Sequence, residues 1–415
     1  MTTETLPKQE SAESALGGHV KGYIERVKGG ELGALPAVFG LVILCVVFSV
    51  LRPAFLSAVN FANLFTQGAA VAVIAMGLIF VLLLGEIDLS AGFASGVCAA
   101  VLAVLLTLQG WPWYLAVLAA MVTGAVIGLV LGSLVAKLGI PSFVVTLAAF
   151  LAFQGVVLLL VKDGTNISIR DETILAIANK NVPPVVGWVA LVAGVLAYAA
   201  LQFVQARRRA ARGLVATPVA VIAARVATLA VVAGVAVYVL NLERSRNAAL
   251  VSLKGVPIVV PLIVILLIVW TFVLRRTAYG RHIYAVGGNA EAARRAGINV
   301  DRIRISAFVI CSFMASLGGI IAASRANSVD PNTGGSNVLL FAVGAAVIGG
   351  TSLFGGKGRA LDALLGGAVV AVIENGMGLM GYSAGVKFVV TGSVLLLAAG
   401  VDALSRKRAA ATGRR

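Results

Sequence analysis

Charged residues are scarce in this chain, and acidic residues are especially few. Only 12% of its 415 residues are Asp, Glu, Lys or Arg, about half of the roughly 25% that soluble domains carry. Hydrophobic residues make up 60% of the chain, and its mean hydropathy is +1.01. This composition excludes a disordered, collagen-like or ordinary soluble protein. A polytopic helical membrane protein is the class that remains.

Cysteine and histidine are nearly absent. The three cysteines lie in separate apolar stretches, and the two histidines, His19 and His282, are far apart in the chain. These residues offer neither a disulfide framework nor a metal site, and they supply no serine–histidine–aspartate arrangement. The glycines at 355–358 lack the spacing of a phosphate-binding loop. We therefore expect no catalytic site, no metal and no cofactor in this chain.

Long apolar runs are abundant. A helix of about 20 apolar residues crosses roughly 30 Å of hydrocarbon, and such a helix pairs its own backbone amides, as lipid requires. The runs lack the alternating polarity of a β-barrel. The sequence therefore predicts an all-α fold, a polytopic transmembrane helical bundle of about twelve spans. The candidate spans are 34–51, 64–84, 91–108, 113–136, 142–161, 184–204, 219–241, 256–274, 304–324, 338–353, 361–379 and 386–402.

Lysine and arginine are distributed unevenly among the connecting segments. The chain has 33 Lys and Arg against 17 Asp and Glu, an excess that would suggest nucleic acid in a soluble protein. With the N-terminus inside, most of these cations fall on the cytoplasmic side, as the positive-inside rule requires. We therefore expect both termini in the cytoplasm, no nucleic acid partner, and no cleavable signal peptide. The domains are then a cytoplasmic segment at 1–33, a transmembrane domain at 34–402 and a basic tail at 403–415.

Three glycines recur at every fourth position in the fourth candidate span. Gly124, Gly128 and Gly132 share one face of a helix. A face of this kind lets two helix backbones approach closely in a membrane. We predict that a neighbouring helix packs against it.

The longest inner loop, 275–303, contains a short helix with signals at both ends. Asn289 suits the N-cap, Glu291 lies in the first turn, and Gly297 can end the helix in a left-handed conformation. Gly287 and Gly288 precede the helix, and Ala292 and Ala293 give it a surface of small side chains. From the pattern alone, this helix either docks into a groove of a cytosolic partner or lies on anionic membrane lipids.

Carboxylates interrupt the apolar runs at two places. At 85–92, Asp88 can cap the following helix with Ser90 nearby, and direct contact with a substrate is the second interpretation. In the eleventh span, Glu374 and Asn375 lie among apolar residues, where a carboxylate should face the bundle interior or a water-filled path. The alternative for Glu374 and Asn375 is a helix–helix hydrogen bond or a position near the outer surface. Gln67 in the second span has the same ambiguity.

The segments 85–92 and 349–356 share a weak internal similarity. Each ends one apolar run and begins another, and they have a few glycines and a leucine in common. Repeats that frame a central pathway are frequent in transporters.

Several motifs occur in order along most of the chain, at 60–64, 85–92, 140–147, 280–300, 347–356 and 375–377. Together, and in this order, they resemble the membrane permease of a sugar ABC importer of the ribose/xylose type. Glu86 stands where the family has a second glycine. Thr146 lies in the segment 140–147, which resembles the family's P-x-F-I-x-T-L segment. The length and the glycine–asparagine loop look closest to xylose-type permeases, whereas the region 162–255 matches least well.

The resemblance implies a set of partners. These are a cytoplasmic ABC ATPase subunit that binds and hydrolyses ATP, an extracytoplasmic sugar-binding protein, and a second copy of the permease. The helix at 289–297 would transmit the motion of the ATPase, and Asp88, Ser90, Gln67, Thr146, Glu374 and Asn375 are candidates for the translocation path. We predict a multi-pass permease of a bacterial cytoplasmic membrane that imports a monosaccharide, a pentose such as xylose. The alternatives are an ion-coupled secondary transporter that uses the carboxylates as proton sites, and a membrane scaffold that carries no solute.

Overall fold

The computed structural model describes residues 35–411, apart from 163–164, 215–216, 246, 248 and 250–251. The expected cytoplasmic segment at 1–33 therefore lies outside the described residues. The expected basic tail at 403–415 is described as far as residue 411, where the last helix ends.

The described residues are almost entirely helical. Four two-residue strands and a short 3-10 helix at Pro53–Leu56 accompany the helices. The strands are β1 (Ile167–Ser168), β2 (Asn181–Val182), β3 (Val256–Pro257) and β4 (Ser328–Val329). The helices are α1 (Leu35–Leu51), α2 (Ala58–Leu83), α3 (Ala91–Ala103, continued by a π-helical turn at Val104–Leu108), α4 (Trp113–Lys137), α5 (Ser142–Val161), α6 (Glu172–Asn179), α7 (Pro184–Ala210), α8 (Val219–Leu240), α9 (Val259–Arg276), α10 (Ala278–Gly288), α11 (Ala290–Arg295), α12 (Val300–Ala326), α13 (Ser336–Ile348), α14 (Ala360–Leu379) and α15 (Ala384–Ala411).

A helix lies over each of the twelve apolar runs. Within the described part of the chain, nine helices are long and apolar enough to cross a membrane, and three shorter apolar helices occupy 35–51, 337–348 and 384–400. The prediction of an all-α polytopic bundle is confirmed.

Several helices depart from the predicted spans, and two of these departures have identifiable reasons. Helix α2 begins at Ala58, six residues before the predicted start, because the Ser57 hydroxyl caps it by accepting from the Asn60 amide at 3.2 Å. Because Asn60 and Asn63 are polar, the start of α2 does not read as part of the apolar run. Helix α13 ends at Ile348, five residues early, where Gly350 adopts a φ of +114° that ordinary side chains rarely take.

Two amphipathic helices were missed by the sequence analysis. Helix α6 follows the fifth span and is capped by Asp171, whose carboxylate accepts from the Thr173 and Ile174 amides. Helix α10 fills the first part of the 275–303 loop and is capped by the Thr277 hydroxyl. Both are too short to form an apolar run, and both acquire their stability from packing on longer helices.

The chain divides into two compact units. The larger consists of residues 33–181 and 257–402, and the smaller includes residues 182–256. In the smaller unit, α7 and α8 pack on each other as a helical hairpin. The loop after α8 is held by Arg244, whose guanidinium donates to the Leu240 carbonyl and, at 2.9 Å, to the Gly255 carbonyl.

The core of the larger unit surrounds α12. This helix packs against α2, α3 and α4, while α14 packs against α2 and α13. Most of the second half of α2, from Ala72 to Leu83, is buried. Buried helices of this kind are apolar on every side, which explains why α2 and α12 carry almost no amphipathic pattern.

The predicted close packing along Gly124, Gly128 and Gly132 is confirmed, and α12 is the partner. A Cβ atom at Gly124 would lie 2.6 Å from the Ser312 carbonyl oxygen, and one at Gly132 would lie 2.8 Å from the Ile305 Cα. At Gly128 it would overlap the Phe308 carbonyl. The backbones of α4 and α12 therefore meet directly, as small-residue faces allow in membranes.

Replacing Gly128 by alanine should destabilise the protein by about 1 to 3 kcal/mol, because the new methyl group overpacks the contact with α12. Thermal unfolding in detergent measures this as a lower midpoint. Gly155→Ala in α5 is the matched control, since a Cβ there meets nothing within 4 Å and alanine favours a helix by up to ~1 kcal/mol. Equal midpoints for the two variants would show that the α4–α12 contact is not tight.

Candidate functional site

A polar cavity of about 470 Å³ opens between α2 and α14 in the larger unit. Pockets for small molecules commonly have volumes of about 300–1,000 Å³. The lining combines amides, one carboxylate, two cations and small or apolar residues. The lining residues are Asn60, Asn63, Gln67, Gly68, Val71, Arg325, Phe341, Gly367, Val370, Ala371, Glu374, Asn375, Gly378, Leu379 and Lys387.

Three amide side chains form a buried network on the cavity wall. Asn375 Nδ2 donates to Asn60 Oδ1 at 2.8 Å and to Gln67 Oε1 at 3.1 Å, which ties α14 to α2. Asn60 Nδ2 donates in turn to the Phe55 carbonyl at 3.0 Å. Asn60 and Asn375 are only 4% and 6% exposed, so these bonds replace water that the amides have lost. Asn375 Oδ1 is buried and has no hydrogen-bond partner within the described residues.

Charged groups surround this network. Glu374 immediately precedes Asn375 on α14, and its Oε1 has no hydrogen-bond partner in the described part of the chain. Arg325 from the end of α12 and Lys387 from α15 line the same cavity. A polyhydroxylated solute can donate to the carboxylate and accept from the cations, so the lining can replace its water of hydration.

Of the six predicted path residues, the structure brings Gln67, Glu374 and Asn375 together in this cavity. The sequence analysis missed the roles of four lining residues, Asn60, Asn63, Arg325 and Lys387. A signal existed in α2, because Asn60, Asn63 and Gln67 have the i, i+3, i+7 spacing of one helix face. It was overlooked because the span was expected to begin at residue 64.

The other three predicted path residues lie together elsewhere, in and around the loop between α2 and α3. Asp88 Oδ1 accepts from the Ser90 amide at 2.8 Å and from the Ser90 hydroxyl at 2.6 Å, just before α3 begins. Thr146 Oγ1 donates to the Ile87 carbonyl at 3.2 Å. Asp88, Ser90 and Thr146 are fully buried. Ser90 is the N-cap residue of α3, and its side chain makes no cap bond. Helix capping by Asp88 and a direct role of these three residues in translocation both stay predictions.

The short helix expected at 289–297 is α11, with the predicted cap. Asn289 Oδ1 accepts from the Ala292 amide at 2.9 Å, and Gly297 ends the helix with a φ of +84°. Glu291 pairs with Arg294 and with Arg295, each at 3.2 Å. These exposed pairs contribute little free energy of folding, so the cap and the glycine define the helix.

Two of the three alanines of this helix, Ala292 and Ala293, differ in exposure. Ala293 is 5% exposed and packs toward the core, whereas Ala292 is exposed. The surface that a partner can reach is therefore the Ala292 face.

A glycine junction connects α10, just before α11, to the buried end of α2. We use this name for Gly85, Gly287, Gly355 and Gly356. A Cβ at Gly287 would overlap the Leu83 carbonyl, and one at Gly355 would lie 2.8 Å from the Gly287 carbonyl oxygen.

The Gly356 amide donates to the Leu83 carbonyl at 2.8 Å. The two similar segments, 85–92 and 349–356, thus meet at this junction. Glu86 is also engaged nearby, in an ion pair of 3.2 Å with Arg304 of α12.

Comparison with known proteins assigns the family. The family model described as the branched-chain amino acid transport system permease component matches residues 60–179 and 172–399. The chain belongs to this permease family. Members are transport subunits and not enzymes.

Individual relatives cover most of this permease. The xylose transport system permease protein of Escherichia coli (strain K12) is 36% identical over 86% of this chain and 87% of its own length. The xylose transport system permease protein of Haemophilus influenzae is 30% identical over 92% of this chain and 99% of its own length. The ribose import permease protein of Escherichia coli (strain K12) is 30% identical over 88% of this chain and 92% of its own length. No solved structure matches.

Replacing Asn375 by alanine should lower the stability of the permease by about 1 to 3 kcal/mol, because Asn60 and Gln67 lose their donor in a buried site. Thermal unfolding in detergent is the measurement. Asn63→Ala is the matched control, since Asn63 lines the same cavity but is exposed, and it should leave the midpoint unchanged. If Asn375→Ala is as stable as Asn63→Ala, the amide network does not join α2 to α14.

Proposed function

We propose that this chain is the membrane permease subunit of an ABC importer that passes a monosaccharide, with a pentose such as xylose as first candidate, into a bacterial cytoplasm. The observation that carries this proposal is the match over most of the chain to xylose and ribose transport permeases. Its length and helices suit a multi-pass protein of the plasma membrane.

The cavity between α2 and α14 is the proposed sugar site. Its amides, its carboxylate and its two cations supply both hydrogen-bond acceptors and donors, which is what a sugar with several hydroxyls needs when it leaves water. Gln67, Glu374 and Asn375 are the residues we assign to binding. Asp88, Ser90 and Thr146 are proposed to keep the loop before α3 in place.

The ATPase is proposed to drive the permease through α11. A cytoplasmic ATPase subunit binds and hydrolyses ATP, and its groove holds the Ala292 face of the short capped helix. Motion of that helix passes through the glycine junction to the end of α2, whose other end carries Asn60 and Gln67. Coupling of this kind requires that the partner contacts two states of the permease differently.

The complete importer is proposed to contain two copies of this permease, two ATPase domains and an extracytoplasmic sugar-binding protein. Both chain termini and the segment 275–303 lie in the cytoplasm, and about twelve spans cross the membrane. The cluster of arginines in 275–303 supports this orientation.

The ion-coupled alternative has little support. The family is one of transport-system permease components, and Glu86, one of the carboxylates that would have to carry protons, is ion-paired with Arg304. Uptake that continues without ATP and collapses with a protonophore would favour the alternative.

Vesicles that contain the permease with its ATPase should import radiolabelled xylose only when ATP and the sugar-loaded binding protein are present. Ala292→Phe should reduce this uptake at least tenfold, because a bulky ring on the exposed face of α11 prevents docking. Folding should be unaffected, since Ala292 is exposed.

Ala210→Phe, at the exposed end of α7, is the control and should retain uptake. Full ATP-driven uptake by Ala292→Phe would contradict the assignment of α11 as the docking element. Uptake without nucleotide in the unmodified protein would contradict the importer itself.

Labelling with a membrane-impermeant maleimide should reveal the orientation. In a Cys45→Ser background, in which Cys98 and Cys311 are fully buried, Asn63→Cys should react from outside intact cells. Gly288→Cys, which has open space around its Cβ position, should react only after the membrane is opened. The reverse pattern would invert the proposed topology.

A further inference from the structure

A second, smaller cavity of about 170 Å³ lies where the end of α9, the helix α10 and the start of α14 meet. It is separate from the proposed sugar site and shares none of its lining residues. Aliphatic side chains form much of its wall, and two arginines stand at it. The lining residues are Leu267, Thr271, Leu274, Arg275, Tyr284, Arg359, Ala360 and Leu361.

The two arginines differ in how their charge is used. Arg359 is neutralised by Asp362, since its Nη2 and Nε lie 2.7 Å and 3.0 Å from Asp362 Oδ1. Arg275 is exposed and has neither a hydrogen bond nor an ion pair with any described residue. The cavity therefore retains about one positive charge.

The remaining polar group does not cancel that charge. The Tyr284 hydroxyl donates to the Gly358 carbonyl at 2.7 Å, which holds the ring against the start of α14. Burial raises the pKa of this hydroxyl, so it stays protonated and neutral. The site suits a ligand with one negative charge.

An apolar stripe on α9 leads to the free arginine. Val264, Ile268 and Phe272 recur at every fourth position and are 45%, 62% and 60% exposed. Arg275 follows three residues later on the same helix face. The acyl chain of a lipid can lie along this stripe while the lipid headgroup reaches the guanidinium. A free anion would make no use of the apolar stripe.

We propose that this cavity binds the phosphodiester headgroup of an anionic phospholipid, with Arg275 as the charged contact and the exposed face of α9 as the surface for the acyl chain. The phospholipid belongs to the leaflet on the side of 275–303. Since α10 forms one wall and continues into α11, the bound lipid braces the helix that precedes the docking element.

Native mass spectrometry of the delipidated permease in detergent, titrated with phosphatidylglycerol, tests the proposal. Arg275→Gln should weaken the binding of phosphatidylglycerol roughly fivefold, as expected for one arginine at an anionic headgroup. Arg276→Gln is the matched control. It removes the same charge from the neighbouring exposed position, which does not line the cavity, and it should leave binding unchanged.

The other arms of the titration identify the ligand. Phosphatidylcholine should bind equally weakly to all three proteins, and inorganic phosphate should not compete with phosphatidylglycerol. Competition by phosphate, equal losses in both variants, or unchanged binding in Arg275→Gln would each overturn the proposal. A change in the dimer fraction of Arg275→Gln without a change in lipid binding would assign the surface to a second copy instead. None of these readouts depends on transport, so the importer function stands or falls separately.

Discussion

Direct contact between helix backbones is the constraint on which the rest of this structure depends. In lipid, apolar side chains gain little by leaving their surroundings, so helices associate through close van der Waals packing. Glycines supply that closeness between α4 and α12, at 124, 128 and 132. They supply it again between α2 and α12, where a Cβ at Gly77 would lie 2.7 Å from the Met314 Cβ. The rigid core that results allows polar groups to be held at chosen places within a mostly apolar chain.

Polar groups occur in three places that this core keeps apart. The amides of the cavity join α2 to α14, while the buried hydrogen bonds of Asp88, Ser90 and Thr146 lie in and around the loop before α3. The third place is the arginine-rich surface of α9 to α11. Helix α2 connects them, because its first half lines the cavity and its end meets the glycine junction. A displacement at α11 would therefore have a packed route to the proposed sugar site.

The proposed lipid site adds a membrane contact to this route. Arg275 and the wall formed by Tyr284 lie at the base of the same α10 that continues into α11. A headgroup bound there would link the proposed docking helix to the surrounding leaflet. The smaller unit, which includes residues 182–256, contributes α7 and α8 and contains none of the residues assigned to sugar or to coupling.

The sequence by itself determined the class of protein, the positions of its apolar helices, the capped helix at 289–297 and the permease family. Each of these follows from short-range information, such as run length, caps, charge bias and ordered motifs. Only the tertiary structure decided that Asn60 and Arg325 share a cavity with Asn375, that Asp88 lies elsewhere, and that Ala292 faces outward while Ala293 faces inward. These facts depend on contacts between residues as many as 315 positions apart. Hydropathy records whether a helix can enter lipid, but it does not say which side of that helix meets a neighbour.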